Sequence, residues 1–143
     1  MRTGGSSSTP LKHLHELHLY PDGAGFSLKA ALAEKLGVQT RQLTLGNGSN
    51  DVLDLIARAY LQPGDEAIFS EYAFSRYPLV TLACNARPVA VPSNLYGHDL
   101  AAMAEAVTER TRVIFVANPN NPTGTWFNAH ALDEFLSRIP ERV

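Results

Sequence analysis

From Glu66 onward the sequence alternates between short apolar runs and stretches of helical periodicity, and this alternation restricts the fold more than any other feature. Glu66–Ser70 reads as a strand. Phe74–Ala83 reads as a helix whose start is delayed or kinked by Pro78. Ala86–Val91 reads as a strand in which Pro88 marks an edge position or a start at Val89. Asp99–Val107 is helical, with Ala102, Met103 and Ala106 inward. Arg112–Ala117 contains Val-Ile-Phe-Val, a continuous apolar run of the kind buried on both faces of a parallel sheet. Ala129–Ile139 is a final helix with Leu132, Phe135, Leu136 and Ile139 on one side. Strands joined in this way are parallel, with helical crossovers covering both faces. The expected class is α/β, a three-layer αβα stack on a mostly parallel sheet.

Upstream, a helix is predicted over Asn50–Leu61, with Val52, Leu53, Leu55, Ile56, Ala59 and Tyr60 forming an apolar stripe and Pro63-Gly64-Asp65 ending it. Asp54 and Arg58 are spaced as an i,i+4 ion pair. Gln42–Leu45 is a short strand candidate. Leu28, Leu32 and Leu36 place a helix over Phe26–Leu36, with Ser27 as N-cap and Gly37 as the left-handed stop. Tyr20-Pro21-Asp22-Gly23 is a turn. Leu11–Tyr20 is a short helix or an extended arm, and Met1–Pro10 is a Gly/Ser-rich lead. The expected organisation is a flexible lead over residues 1–18 and one domain over 19–143.

Composition excludes several roles. Twelve Lys+Arg against 14 Asp+Glu give a net charge of -2, which argues against nucleic-acid binding through a basic surface. No apolar run reaches the ~18 residues of a membrane span, and the N-terminus has no signal-peptide core. A single cysteine, Cys84, forms no intrachain disulfide, so a reducing, cytoplasmic setting is expected. His13, His15 and His18 lack acidic or cysteine partners at a ligand spacing, and they read as a solvated arm without a metal.

Two loops carry chemistry. Gly46-Asn47-Gly48-Ser49-Asn50-Asp51 lies between a strand candidate and a helix, where glycines admit close backbone approach and a helix start offers free N–H groups to a phosphate. The alternative is a βα turn in which Ser49 or Asn50 merely caps the helix. Asn118-Pro119-Asn120-Asn121-Pro122-Thr123-Gly124 follows the buried strand, at the end where open α/β sheets bind ligands. Its prolines stiffen it and allow a cis bond. The alternative there is a tight polar turn. Tyr20 and Tyr72 form an aromatic pair of candidates; Tyr72, at the carboxyl end of the strand Glu66–Ser70, is placed to stack on a planar ring, the alternative being a core or interface tyrosine.

Taken in order, Leu19-Tyr-Pro-Asp-Gly, Thr44-Leu-Gly-Asn-Gly-Ser-Asn-Asp, Pro63-Gly-Asp-Glu, Ser70-Glu-Tyr-Ala-Phe-Ser-Arg-Tyr and Ala117-Asn-Pro-Asn-Asn-Pro-Thr-Gly-Thr resemble the fold-type I pyridoxal-phosphate enzymes. Within them the chain is most similar to histidinol-phosphate aminotransferases. The resemblance implies the large domain of a PLP-dependent transferase, present in part. It implies pyridoxal 5'-phosphate as cofactor, a small-molecule amino donor and a 2-oxo acid as substrates, and a homodimer. It assigns Gly48, Ser49 and Asn50 to the cofactor phosphate, Tyr72 to the pyridine face and Asn121 to the phenolic oxygen. Tyr20 would reach the phosphate in a neighbouring subunit. The implied reaction moves an amino group between L-histidinol phosphate and 2-oxoglutarate, in histidine biosynthesis. The family's Schiff-base lysine lies beyond the Asn-Pro-Thr-Gly loop, whereas the lysines here are Lys12, Lys29 and Lys35. The pyridinium-pairing aspartate and the carboxylate-binding arginine are also expected beyond Val143. The chain therefore reads as the N-terminal portion of such an enzyme, whether truncated product, pseudogene-like frame or fragment, and is not expected to be catalytic alone. Two other readings are another amino-acid aminotransferase or related phosphate-recognising decarboxylase, and a non-catalytic α/β module for phosphate binding or dimerisation.

Overall fold

The computed structural model describes residues 18–20 and 22–143. Residues 1–17, and with them most of the predicted lead and arm, lie outside the described residues. The described residues divide into two compact units, one ending at Leu45 and the other spanning Gly46–Val143.

In the first unit, helix α1 spans Phe26–Leu36. Its N-cap is Gly25 rather than Ser27, and the capping group is Asp22. The Asp22 carboxylate accepts from the N–H groups of Ala24 (3.0 Å) and Phe26 (2.6 Å), and these bonds hold it below the usual carboxylate range. Gly37 ends the helix in the left-handed region (φ 67°), as its position predicts. The predicted strand Gln42–Leu45 does not form. Thr40–Gln42 is a 3-10 turn instead, in which Gln42 Oε1 accepts from the Gln39 N–H at 2.9 Å. The local side-chain bond competes with strand pairing.

The second unit holds α2 (Ser49–Tyr60), β1 (Glu66–Ser70), α3 (Arg76–Ala83), β2 (Arg87–Val91), α4 (Leu100–Glu105), β3 (Thr111–Ile114) and α5 (Ala129–Arg138). The three strands form a parallel sheet in the order β2-β1-β3, with Glu66 opposite Arg87 on one side and Thr111 on the other. Pro88 sits on β2, an edge strand of this sheet, where a missing N–H is tolerated. Helix α3 begins at Arg76, two residues later than predicted. Pro78 then falls in the first turn, where no N–H is required of it. The Asp54–Arg58 pair forms on α2 at 2.7 Å. Cys84 is a free thiol at the end of α3.

Side-chain alternation along β1 builds the layers. Ala67 and Phe69 point to one face, where they join Ala57 and Leu61 from the α2 end and Tyr77 and Val80 from α3. Ile68 points to the other, against Met103 of α4 and Phe135 of α5. Every residue of β1 is buried, as a central strand covered on both faces must be. The result is the three-layer αβα arrangement. Among the described residues no helix is long and apolar enough to cross a membrane, and no cluster of histidine, cysteine or carboxylate side chains is arranged for a metal.

Candidate functional site

The strand order determines where a cavity opens. The connection from β1 to β2 runs to one side and that from β2 to β3 crosses back over β1, so right-handed crossovers place α3 and α4 on opposite faces. The loops after β1 and β3 therefore diverge and leave a crevice at the strands' carboxyl ends. A cavity of about 420 Å³ lies there, within the range typical of small-ligand sites. Its polar walls are Ser49 and Asn121, its aromatic wall Phe74 and Tyr77, and its aliphatic floor Val52, Leu53 and Ala117.

Ser49 is the first residue of α2. Before it, Gly48 adopts φ 81°, ψ 174°, a conformation essentially confined to glycine. Gly46 is needed for space, because a Cβ there would lie 2.8 Å from Val52 Cγ2. The loop closes on itself: the Gly48 N–H donates to Gly46 O (2.9 Å) and the Asn47 N–H to Asp51 Oδ2 (3.0 Å). No side chain caps α2, and among the described residues nothing accepts from the N–H groups of Ser49, Asn50 and Asp51. Three free donors and the positive end of a 12-residue helix thus meet beside the cavity. Gly48 and Asn50 flank Ser49 in the chain without lining the cavity themselves.

The loop after β3 is held by its own amides. Asn118 Nδ2 donates to Phe127 O (2.8 Å) while Asn118 Oδ1 accepts from the Phe127 N–H (3.2 Å). The bonds preceding Pro119 and Pro122 are both cis. Asn121, between these anchors, is exposed and directs its residue to the cavity wall.

The aromatic wall differs from the one expected. Tyr72 does not line the cavity: its ring is half-exposed and packs on Tyr96, centroids 5.3 Å apart. Phe74 lines it instead. The chain turns back at Ala73, whose N–H donates to Ser70 O, and this turn carries Tyr72 away. Phe74 meets the Tyr77 ring edge-on (5.9 Å, 90°), and Tyr77 in turn stacks on Phe115 (4.6 Å, 4°). Burial pushes the Tyr77 phenol above its ordinary range, so it stays protonated. Sequence reading passed over Phe74 by placing it in the helix. The signal available was its position directly after a strand's carboxyl end. Tyr20 is fully exposed in the first unit.

A second cavity of about 290 Å³, bounded by Asn94, His98, Thr125 and Trp126, carries none of the residues assigned to a cofactor from sequence. His98 Nε2 lies 2.9 Å from Ala117 O, which only accepts, so that nitrogen carries the proton. Burial holds the imidazole below its usual pKa.

A helix N-terminus, an aromatic wall and an asparagine thus meet at the switch point of a parallel sheet, where open α/β folds bind small ligands. Comparison with known proteins makes this specific. The sequence pattern described as "Aminotransferase class I and II" matches residues 8–142, and the chain belongs to that family. It is 61% identical over 130 residues to histidinol-phosphate aminotransferase 2 of Pseudomonas fluorescens, covering 91% of this chain and 35% of that protein. Its fold is similar to the crystal structure of histidinol-phosphate aminotransferase from Sinorhizobium meliloti in complex with pyridoxal-5'-phosphate, with TM-score 0.84 and 26% identity over 92% of this chain and 36% of that one. It is also similar to alanine aminotransferase from Pyrococcus furiosus, with TM-score 0.79 and 25% identity over 89% and 35% of the two chains. The chain thus spans about a third of the length of these relatives.

Proposed function

We propose that this chain supplies the phosphate- and ring-binding part of a pyridoxal 5'-phosphate aminotransferase. The observation that carries the reading is the convergence of Ser49 at the α2 N-terminus, Phe74 and Asn121 on one cavity. The residues fit the cofactor. The free N–H groups of Ser49, Asn50 and Asp51 and the Ser49 hydroxyl suit a phosphate. Gly48 holds the loop open for its approach. Phe74, which lines the cavity where Tyr72 does not, would cover a face of the ring, and the Asn121 amide would donate to its phenolic oxygen. When bound, the cofactor supplies an electron sink for the substrate's α-carbon. Gly46–Val143 contains no lysine, so these residues bind and orient the group without anchoring it covalently.

The amino donor in this reading is L-histidinol phosphate, supported by the 61% identity to a Pseudomonas histidinol-phosphate aminotransferase, and the acceptor is 2-oxoglutarate, as the sequence resemblance implies. Residues 19–143 would belong to one large domain in a cytoplasmic homodimer, with Tyr20 reaching the neighbouring subunit's cofactor phosphate. A second amino-acid substrate is the competing reading, favoured by the likeness to an alanine aminotransferase. The experiment is a chimera in which this chain replaces the matching third of the Pseudomonas relative, assayed with histidinol phosphate and with alanine as donors. Turnover of histidinol phosphate near the parent's rate is expected. A chimera that binds pyridoxal phosphate but prefers alanine would overturn the substrate, and one that folds without binding it would overturn the site.

A further inference from the structure

The three loops that follow β1, β2 and β3 are joined by one run of polar contacts. Asn120 is buried (3% exposed), and its Nδ2 donates to Tyr72 O (2.9 Å), in the loop after β1, and to Thr123 Oγ1 (2.9 Å). Thr123 Oγ1 lies 2.9 Å from Thr125 Oγ1, which donates to Tyr96 O (3.3 Å) in the loop after β2. The proton order is forced. The Tyr96 and Tyr72 carbonyls only accept, so Thr125 spends its proton on Tyr96 and the Asn120 nitrogen faces Tyr72. Thr123 then accepts from Asn120 and donates to Thr125. The backbone reinforces the run, with the Asn120 N–H donating to Thr125 O and the Gly124 N–H to Asn120 O, both at 2.8 Å. The rings of Tyr72 and Tyr96 close the circuit on the outside.

None of these three side chains lines the cavity. The run nevertheless ends beside residues that do: Asn121 follows Asn120, and Phe74 lies two residues beyond Tyr72, whose carbonyl Asn120 holds. We propose that Asn120, Thr123 and Thr125 form a polar stitch that sets the separation of Phe74 and Asn121. Asn120 is then a positioning residue for whatever occupies the cavity. In naming that occupant as pyridoxal phosphate the inference rests on the function proposed above. A one-way run of hydrogen bonds polarises along its length, so loosening one link loosens the others.

Two readouts on the purified protein test this: pyridoxal phosphate affinity by absorbance, and hydrogen exchange of the amides in 72–74 and 95–97. Asn120→Ala and Thr123→Val are each expected to weaken affinity ~10-fold, since small misplacements of binding groups carry penalties of that order or larger. Both should speed exchange in the two loops. Thr123→Ser keeps the hydroxyl and is expected to restore parental values. If Asn120→Ala does not fold, the Thr123 pair decides. Parental affinity in Thr123→Val, or equal losses in the valine and serine variants, overturns the proposal. If the parent protein itself binds no pyridoxal phosphate, the functional reading falls. Exchange alone then judges the stitch: faster exchange in both loops upholds it and unchanged exchange overturns it.

Discussion

Replacing Glu66 by glutamine tests the physical account of the sheet at the end opposite the cavity. Glu66 opens β1 and is 2% exposed. One carboxylate oxygen accepts from Arg110 Nη2 (3.0 Å) and Arg87 Nη1 (3.3 Å), the other from Thr108 Oγ1 (2.6 Å). Thr108 is the largest influence holding its pKa below the usual carboxylate range, and the two guanidinium groups add to it against the opposing effect of burial. Hydrogen bonds to a buried charge contribute ~1.5–3 kcal/mol each, against ~1 for neutral ones. The arginines, however, are 61% and 64% exposed, so their pairs count as surface ones of ~0–1 kcal/mol. The Thr108 bond dominates, and glutamine leaves that hydroxyl's proton without its charged acceptor. The expected loss for Glu66→Gln is ~1–2 kcal/mol, read as a lower urea midpoint at neutral pH. The pH dependence carries a sign. Because the folded pKa is depressed, the contribution is complete above the unfolded value of about 4.5 and is lost as pH falls through the folded one. The parent and variant midpoints should therefore converge on acidification. A loss below ~0.5 kcal/mol at pH 7, or a gap that persists below both pKa values, would refute the reasoning.

Three further outcomes are expected at the site. Gly48→Val forces a side chain into φ 81° at a strain of ~1–3 kcal/mol, and should weaken pyridoxal phosphate binding; an unchanged affinity would count against the loop's role. Phe74→Ala should weaken binding about 5-fold, in line with ~0.5–1.5 kcal/mol for an aromatic pair, whereas Tyr72→Ala should change it less than 2-fold. The reverse order in the same titration would return the stacking role to Tyr72. Borohydride reduction with pyridoxal phosphate, followed by peptide mapping, should yield no stoichiometric adduct at Lys12, Lys29 or Lys35. A single saturable site among them would refute the view that none is an anchor.

What could be read from sequence divides along the range of the interaction concerned. The alternation of β1, α3, β2, α4, β3 and α5 was legible because burial on two faces leaves continuous apolar runs, and helix faces leave a regular spacing. Helix α3 was misplaced by two residues because Phe74 looks as helical as its neighbours; only the turn at Ala73 excludes it. Gln42–Leu45 reads as β by propensity, but a strand needs a partner, and the Gln42 and Leu43 N–H groups are satisfied locally by Gln39 O and Thr40 O. At the site, Ser49 and Asn121 were named from their loops, and the structure puts both on one cavity. Tyr72 was named for the ring and Phe74 was not, since which of them lines the cavity depends on how the chain reverses after β1. Glu66 was unremarkable as a letter. Its pairing depends on Thr108 and Arg110 from the loop before β3 and Arg87 from the start of β2, two segments far apart in the chain, a long-range fact that no local pattern encodes.

Ser49, Phe74, Tyr77 and Asn121 meet the cavity with hydroxyls, rings and an amide, and none of them changes its charge between pH 5 and 9. An anion held there is recognised by oriented dipoles alone. Affinity for a phosphate monoester should then follow the ionisation of the guest, rising as it gains its second negative charge and levelling afterwards. Added salt should weaken it far less than it would weaken capture by a patch of lysines. The cavity wall is a fixed electrical mould, and any proton traffic across it has to be conducted by groups other than these four side chains.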